Sequence, residues 1–209
     1  MQPIRDPFGR ALCAIRRSLR GGRWVLGERL AVSELSLELN LSATPVREAL
    51  ARLSGEGLIE ERRGQGYFAW RLDTVDLVEL YDLQGLYLAG ALDRATSGPG
   101  RAAEPGAGSH AERTEAAFAR IVRLGVSAVL SRNNALLADR LAAARLAEGQ
   151  VLHDIDAELQ AIEDCDDPGR LRDMLGAHHR RRVESAGSVV AALRSLAAPG
   201  QYSLGIGEI

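Results

Sequence analysis

Apolar residues recur every three or four positions along most of the chain, which places them on one face of an α-helix. The first such stripe consists of Leu12, Ile15 and Leu19 and predicts a helix over residues 7–19. The same spacing returns at Thr74 and continues almost to the C terminus. The pattern therefore predicts a mostly α protein.

Between these helical regions the pattern changes to short amphipathic segments. Two short helices are predicted, the second over residues 42–53, with a tight turn at Asn40, a residue that tolerates the left-handed conformation. Ser33 and Ser42 stand where helix N-caps are expected. Two strands follow at 58–62 and 67–70, joined by a turn at 63–66.

The C-terminal part is predicted to be helical throughout, apart from a flexible Gly- and Pro-rich loop over residues 96–109. Its helices are predicted at 74–95, 111–131, 133–149, 150–164 and 168–197. The expected fold is mostly α, with a winged helix-turn-helix at residues 1–72 and an all-α bundle at residues 73–209.

Charge divides the chain at the same place. The net charge is -2, but residues 1–72 hold 12 Arg against 8 Asp or Glu, hence +4, and residues 73–209 carry -6. Lysine is absent, so all 26 basic residues are arginine. A basic front part and an acidic remainder are typical of a DNA-binding head on a body that does not bind DNA.

The cysteines and the hydropathy of the chain indicate where in the cell the protein is expected. Cys13 and Cys165 fall in different predicted domains, so we expect no disulfide and a reducing environment. No N-terminal apolar run follows a basic start, and no stretch approaches ~18 apolar residues. We therefore expect a soluble cytoplasmic protein.

The helix predicted over 42–53 has the features of a DNA recognition helix. Its start projects small and polar side chains, among them Ser42 and Thr44, where base edges are met. Arg47 lies three residues beyond Thr44 on the same face and can pair with a guanine or a phosphate. Arg62 and Arg63 lie at the tip of the predicted hairpin, where a wing touches DNA.

A longer set of motifs surrounds this helix. In order they are Gly27-Glu28-Arg29-Leu30, Ser33-Glu34-Leu35, Ser42-Ala43-Thr44-Pro45-Val46-Arg47-Glu48-Ala49-Leu50, Glu56-Gly57-Leu58 and Gly64-x-Gly66-Tyr67-Phe68. With them the chain resembles the GntR family of bacterial regulators, in its FadR-like branch. The resemblance implies DNA contacts from Ser33, Ser42, Thr44, Pro45, Arg47, Arg63, Gly64 and Gln65. Ala43 departs from the family, which has Arg there, so one contact is expected to be missing.

In this branch the helical body binds a small effector, often a carboxylic acid, and often holds a divalent metal through one Asp and three His. In one register Phe118-Ala119 lacks the first histidine and Glu115 stands at the Asp position, with Gln84 in place of a common Arg. Aligning instead on Ser131-x-Asn133-x-x-Leu136 puts Arg120 and Leu124 at the two metal positions, and neither register gives a histidine. We therefore predict no metal cofactor, the alternative being Zn or Ni at His153 and His178. The candidate effector-binding residues are His153, His178, His179 and Asn133.

These expectations lead to a ligand-responsive repressor. A homodimer would bind a roughly palindromic double-stranded DNA operator and release it when a small metabolite, an organic acid, binds the body. An alternative is a constitutive or architectural DNA-binding dimer whose body only dimerises. A third hypothesis, a metal hydrolase built on His153, His178, His179 and Asp156, is disfavoured because no nucleophile elbow, P-loop or dinucleotide fingerprint is present.

Overall fold

A computed structural model of the chain describes residues 6–24, 26–95 and 108–196. The chain divides into two compact units. Of the described residues, the first unit holds those up to Leu72 together with 193–196, and the second holds those within Asp73–Ala192. The predicted loop at 96–109 lies outside the described residues except for its last two positions.

The first unit alternates short helices with a small sheet. Its elements are α1 (Pro7–Arg20), β1 (Arg29–Leu30), α2 (Val32–Leu39), α3 (Ala43–Gly55), β2 (Ile59–Arg62) and β3 (Gly66–Ala69). Asp6 caps α1, its carboxylate accepting from the backbone N–H groups of Phe8 and Gly9. Asn40 ends α2 in the left-handed conformation, with φ 50° and ψ 52°, which confirms the predicted turn.

Two predicted helix caps are wrong in detail. The N-cap of α2 is Ala31, so Ser33 lies inside the first turn of that helix. Ser42 does occupy the N-cap position of α3, but its side chain makes no capping hydrogen bond. Both hydroxyl groups are therefore free of the helix-capping role that the sequence suggested.

The sheet contains one strand that the apolar pattern did not predict. The strand order is β1-β3-β2, and both pairings are antiparallel. β3 is central, because Phe68 pairs with Arg29 on one side and with Glu60 on the other. β1 escaped prediction since it has only two residues and is held by β3 rather than by its own pattern.

One apolar core holds the first unit together. The apolar stripe of α3, at helical spacing in the sequence, is fully buried, with Val46, Ala49, Leu50 and Leu53 at 0% exposure. They pack with Ala11 and Ile15 of α1 and with residues of α2 and the sheet. This core fixes α3 rigidly, so that its opposite face is presented to solvent.

The second unit is entirely helical within the described residues. Its elements are α4 (Thr74–Arg94), α5 (His110–Leu124), α6 (Ala128–Val151), α7 (Ile155–Asp164) and α8 (Pro168–Leu196), the last turn of α8 being grouped with the first unit. Phe118, Ile121 and Leu159 are central in its apolar core. No helix among the described residues is both long and apolar enough to cross a membrane.

The helix predicted over 111–131 is in fact two. α5 ends at Leu124, Val126 takes a positive φ of 47°, and Ser127 caps α6 by accepting from the Leu130 N–H. A Cβ at Gly125 would lie 2.9 Å from the Cα of Ala91, so α4 approaches too closely for any side chain there. The apolar spacing continues across this break, which is why periodicity alone missed it.

Candidate functional site

The start of α3 presents a small polar face to solvent. Ser42, Thr44 and Arg47 are exposed, whereas Pro45 is buried in the first unit. Arg47 makes no ion pair with any described residue. The face therefore offers hydroxyl groups, free N-terminal amides and one unpaired guanidinium. Pro45, named as a DNA contact from the resemblance, is buried in the first unit, and its contact with DNA stays a prediction.

A recess of about 420 Å³ separates α3 from the sheet. Arg29 of β1 and Arg47 of α3 line it, together with Ser33, Gly66 and Tyr67. Burial and the neighbouring Glu61 raise the pKa of Tyr67, while Arg47 lowers it. Arg29 is exposed and was missed by the sequence reasoning, although it belongs to the quoted Glu28-Arg29-Leu30 motif. Its position on β1 brings a second arginine beside the exposed start of α3. We call the surface formed by Ser42, Thr44, Arg47 and Arg29 the recognition face.

The hairpin tip is built by Gly64, whose φ of 71° lies in the left-handed region that favours glycine. The Gln65 N–H donates to the carbonyl oxygen of Arg62 at 2.9 Å and closes the turn. The side chains of Arg63 and Gln65 are exposed there. The tip thus presents one arginine without an ion pair among the described residues.

Arg62, in contrast, is already engaged. Its guanidinium donates to Glu60 at 2.7 Å and lies 4.1 Å from the centre of the Phe68 ring. The hydrogen bond from Arg62 lowers the pKa of Glu60. The two arginines that looked equivalent in sequence therefore differ: Arg63 is free to meet an anion, and Arg62 stabilises the wing.

The second unit contains a buried network of charged side chains. Arg182 of α8 and Glu148 of α6 form an ion pair at 2.8 Å, and both side chains are 1% exposed. The Tyr81 hydroxyl donates to Glu148 at 2.8 Å, and Arg182 also reaches Glu158 at 2.9 Å. Burial and the adjacent Glu148 raise the pKa of Tyr81 well above its usual value, so it stays a donor.

A second buried arginine lies beside this network. Arg145 donates to the side-chain oxygen of Gln84 at 2.7 Å, and its guanidinium lies 5.5 Å from the centre of the Phe118 ring. Glu115 is 3.8 Å from Nη1 of Arg145. Burial lowers the pKa of Arg145. Two buried polar atoms here, Arg145 Nη1 and Gln84 Nε2, have no hydrogen-bond partner among the described residues.

Two of the predicted effector histidines meet in this region. His178 and His179 are buried, and their rings and that of Phe118 lie within 6 Å of one another, at 5.1, 5.2 and 5.8 Å between centres. Burial lowers the pKa of His178 to about 3 and that of His179 to about 4, and the charge of Arg182 adds to both effects. Both imidazoles are therefore neutral near pH 7.

Hydrogen bonding determines which nitrogen of His179 is available. Nδ1 lies 2.7 Å from the carbonyl oxygen of Leu175 and must carry the proton to donate to it. Nε2 is then an acceptor, and it is buried without a partner in the described part of the chain. His178 differs, because its Nδ1 lies 3.4 Å from Glu158. That contact and Arg182 outweigh burial and lower the pKa of Glu158 to about 2.

The other two predicted effector residues lie elsewhere. His153 is exposed, and its carbonyl oxygen accepts from Arg181, while its ring touches neither His178 nor His179 within the described residues. Asn133 turns its amide onto the Val129 carbonyl oxygen at 2.9 Å. Its neighbour Asn134 is the buried one, with Oδ1 unpaired. The structure thus keeps His178 and His179 together and separates His153 and Asn133 from them.

The residues of this core do not fit a divalent metal. Among the described ranges, no three His, Cys, Asp or Glu side chains come together in a way that could hold an ion. Two guanidinium groups, of Arg145 and Arg182, lie among the histidines and carboxylates instead. Their positive charge opposes a second cation nearby. The absence of a metal cofactor from the whole chain stays a prediction.

Sequence reasoning missed the residues that build this network: Tyr81, Arg145, Glu148, Glu158 and Arg182. A signal was present on α6, since Arg145 and Glu148 continue the stripe of Leu137 and Leu141 at spacings of four and seven. Charged residues on an apolar stripe are rarely buried unless they are paired. Their partners lie on other helices, tens of residues away in the chain, and that is what the pattern could not show.

Comparison with known proteins matches the first unit to a regulator family. Residues 9–68 match the family described as "Bacterial regulatory proteins, gntR family". The match covers α1 to β3, which includes the recognition face and the hairpin. No part of the second unit is included in it.

Curated relatives are similar over the same part. The chain is 43% identical over 58 residues to the Nta operon transcriptional regulator of Aminobacter aminovorans, which is 28% of each chain. It is 32% identical over 78 residues to an uncharacterized HTH-type transcriptional regulator of Mycobacterium tuberculosis, and 34% identical over 70 residues to another of Agrobacterium vitis. The matched segments span 28%, 32% and 41% of these relatives.

Solved structures are similar over most of the chain. E. coli McbR/YncC aligns with a TM-score of 0.60 and 17% identity, covering 88% of this chain and 98% of that one. A GntR transcriptional regulator from Rhodococcus sp. RHA1 aligns with a TM-score of 0.60 and 14% identity, covering 88% and 97%. At this identity the similarity establishes the fold, a GntR-like winged helix with a helical body.

Proposed function

We propose that this chain, a DNA-binding transcriptional regulator with a GntR-type head, is a homodimeric repressor that leaves its operator when a small organic acid binds the helical body. The DNA-binding role is carried by one observation. Arg29, Arg47 and Arg63 are exposed on the recognition face and hairpin of the first unit and have no ion pair among the described residues. Unpaired guanidinium groups beside free helix amides suit phosphates and guanine edges.

The effector proposal is supported by the buried polar core. Arg182 donates to two carboxylates, Glu148 and Glu158. Arg145 donates to the neutral Gln84, lies 3.8 Å from Glu115 and feels the charge of Glu148, but it donates to no carboxylate. Arg145 Nη1 and Gln84 Nε2 are two buried donors without a hydrogen-bond partner among the described residues, and such groups are normally satisfied by a ligand or water. A carboxylate supplies the acceptors that these donors lack.

In this core the arginine beside the ligand position comes from a different helix than in the family pattern. The family's common arginine on the first helix of the body is Gln84 here, and the guanidinium of Arg145 comes to Gln84 from α6. His179 Nε2 offers an acceptor nearby for a ligand hydroxyl or a water. We therefore infer direct recognition of the acid by arginine, without a metal ion.

The DNA-binding part is tested with Arg47→Ala. DNA selected in vitro with the wild-type protein and a scrambled duplex are titrated in gel shifts. We expect a loss of about 1–3 kcal/mol on the selected DNA if Arg47 contacts a base. A similar loss on both duplexes would assign Arg47 to a phosphate. Unchanged binding to both would remove Arg47 from the interface.

The effector part is tested by thermal unfolding of the wild-type protein with acetate, lactate, malonate and citrate. A ligand present at 100 times its Kd stabilises the folded protein by about 2.7 kcal/mol. We expect Arg145→Met and the milder Gln84→Leu to abolish this gain. Arg132→Met, an exposed arginine on the same helix, is the matched control and should keep it. The same acid must release selected DNA from the wild-type protein.

A second candidate function rests on the same core. Arg145 and Arg182 fill the interior with their own side chains, and two carboxylates, of Glu148 and Glu158, hold Arg182 there. A body of this kind can act as a constitutive dimerisation unit. If no acid stabilises the protein or releases DNA, the constitutive regulator becomes the better description.

A further inference from the structure

One surface of the second unit combines a hollow with an exposed leucine. α4 and α8 run antiparallel: Thr74 lies beside Gly187, Gly85 beside His179, and Asp93 pairs with Arg172. A groove of about 520 Å³ lies along the two helices. We call it the α4–α8 groove. Its small lining residues are Gly85, Ala89 and Gly176.

The groove is hollow because these three positions carry little or no side chain. A Cβ at Gly85 would make only ordinary contact with the His179 ring, at 3.5 Å. Glycine is therefore not required by the packing of the helices there. It leaves space that a larger residue could have filled, and that space opens to solvent.

A leucine that could fill such a space stands at the rim. Leu86 is 68% exposed, and it follows Gly85 directly on α4. Other exposed apolar side chains, such as Val126 and Val129, are not among the residues that line the groove. A projection and a hollow on one face are self-complementary under a two-fold axis, which is the geometry of an isologous dimer.

Charges on the same rim point to the same partner. Asp82 of α4 and Arg180 of α8 both line the groove. Neither forms an ion pair with any residue that the structure describes. In a dimer whose two-fold axis brings Asp82 of each copy opposite Arg180 of the other, four charges that have no ion pair among the described residues would become two pairs.

We propose that the α4–α8 groove is where a second copy of this chain docks, with Leu86 of each copy seated in the groove of the other. The inference rests on the proposed homodimeric regulator and names its contact surface. His179 also lines the groove. The dimer surface and the buried polar core therefore share a residue, which would let an acid in the core act on the dimer.

The first test is Leu86→Glu in the full chain, with the oligomeric state measured by sedimentation velocity across a concentration series. A buried carboxylate without a partner in each half of the interface should raise the dimer Kd by about 100-fold or more. Leu146→Glu changes another exposed leucine, on α6, and should leave the Kd unchanged. The far-UV circular dichroism of both variants should match the wild type, since both side chains face solvent.

A charge exchange provides a test that misfolding cannot imitate. Asp82→Arg and Arg180→Asp should each weaken the dimer by about 10-fold, because like charges then face each other across the interface. The double variant Asp82→Arg/Arg180→Asp restores opposite charges. It should return the Kd to within about threefold of the wild-type value.

The outcomes distinguish failure of the groove as the dimer surface from failure of the proposed repressor function. If Leu86→Glu stays dimeric at the wild-type Kd, or the double exchange fails to recover, the groove is overturned as the dimer surface while dimeric DNA binding stands. A monomeric wild type overturns both the surface and the homodimer. A wild type that dimerises through the groove but binds no selected DNA supports the surface and defeats the proposed repressor. A small acid that fills the groove without changing the dimer Kd would also overturn the proposal.

Discussion

Arginine does two opposite things in the two units. In the first, Arg29, Arg47 and Arg63 are exposed and have no ion pair among the described residues. In the second, Arg145 and Arg182 are almost completely buried, at 4% and 1% exposure. Arg182 is held by two carboxylates, and Arg145 by an amide and an aromatic ring. The same side chain thus prepares one unit to meet an outside anion and fills the interior of the other.

The physical costs explain the difference. An exposed guanidinium keeps its water until an anion replaces it, so it can be left unpaired with little loss of stability. A buried one loses its water on folding and needs partners inside the protein. Each arginine of the recognition face can therefore be considered by itself. The buried arginines depend on their partners, and the groups of the core stabilise one another.

The largest expected effect on stability comes from removing one member of the buried charged network in the second unit. Arg182→Met removes the cation that is shared by the buried Glu148 and the partly exposed Glu158. We expect a loss of about 3–5 kcal/mol in the free energy of unfolding of the second unit. Urea unfolding followed by far-UV circular dichroism measures it. Both tryptophans, Trp24 and Trp70, lie in the first unit, so their fluorescence follows that unit separately.

The matched control is an exposed pair in the same unit. Arg172→Met removes the ion pair with Asp93, whose side chains are 43% and 65% exposed. Its loss should stay below about 1 kcal/mol. A cost for Arg182→Met no larger than that of the control would mean that the core arginine is not held as described, and the contrast between the two units would fail.

The same contrast decides how much the sequence could reveal. The head was predictable because its signals are contiguous: the turn at Asn40, the stripe of α3 and the hairpin at Gly64 are each set by neighbouring residues. The break at Gly125 was not, because it depends on α4 approaching from elsewhere in the chain. The buried network was missed for the same reason, since Tyr81, Glu148 and Arg182 meet only in three dimensions.

The buried histidines predict a pH dependence that sharpens the contrast. The folded-state pKa of His179 is about 4, against 6.5 for the ordinary imidazole, so the unfolded chain takes up this proton first as pH falls. The stability that the folded protein gains from a neutral His179 is therefore complete above about pH 6.5. It is lost as the pH falls from 6.5 to 4. Each pH unit in that range costs about 1.4 kcal/mol per shielded histidine.

Comparison of pH 7 with pH 5 isolates this effect. Loss of stability from Glu158, whose pKa falls from 4.5 to about 2, begins only below pH 4.5. His179→Leu should therefore lose about 2 kcal/mol less than the wild type between pH 7 and pH 5, in urea unfolding followed by circular dichroism. His153→Leu removes an exposed imidazole and serves as the control. Equal losses in His179→Leu and the wild type would show that His179 is not shielded.

The smallest effect is expected at the wing, where two adjacent arginines differ in their partners. Arg63 is exposed and unpaired, so Arg63→Ala should reduce the slope of log K against log salt on selected DNA by about 0.9, the value of one phosphate contact. Arg29→Ala should do the same from the recess beside α3. Arg62 already donates to Glu60 and covers Phe68, so Arg62→Ala should leave the salt slope unchanged and cost a little stability in the first unit. A slope that falls for Arg62→Ala and not for Arg63→Ala would reverse the assignment. It would mean that Arg62 exchanges Glu60 for a phosphate on binding, and that an ion pair in the free head does not exclude a DNA contact.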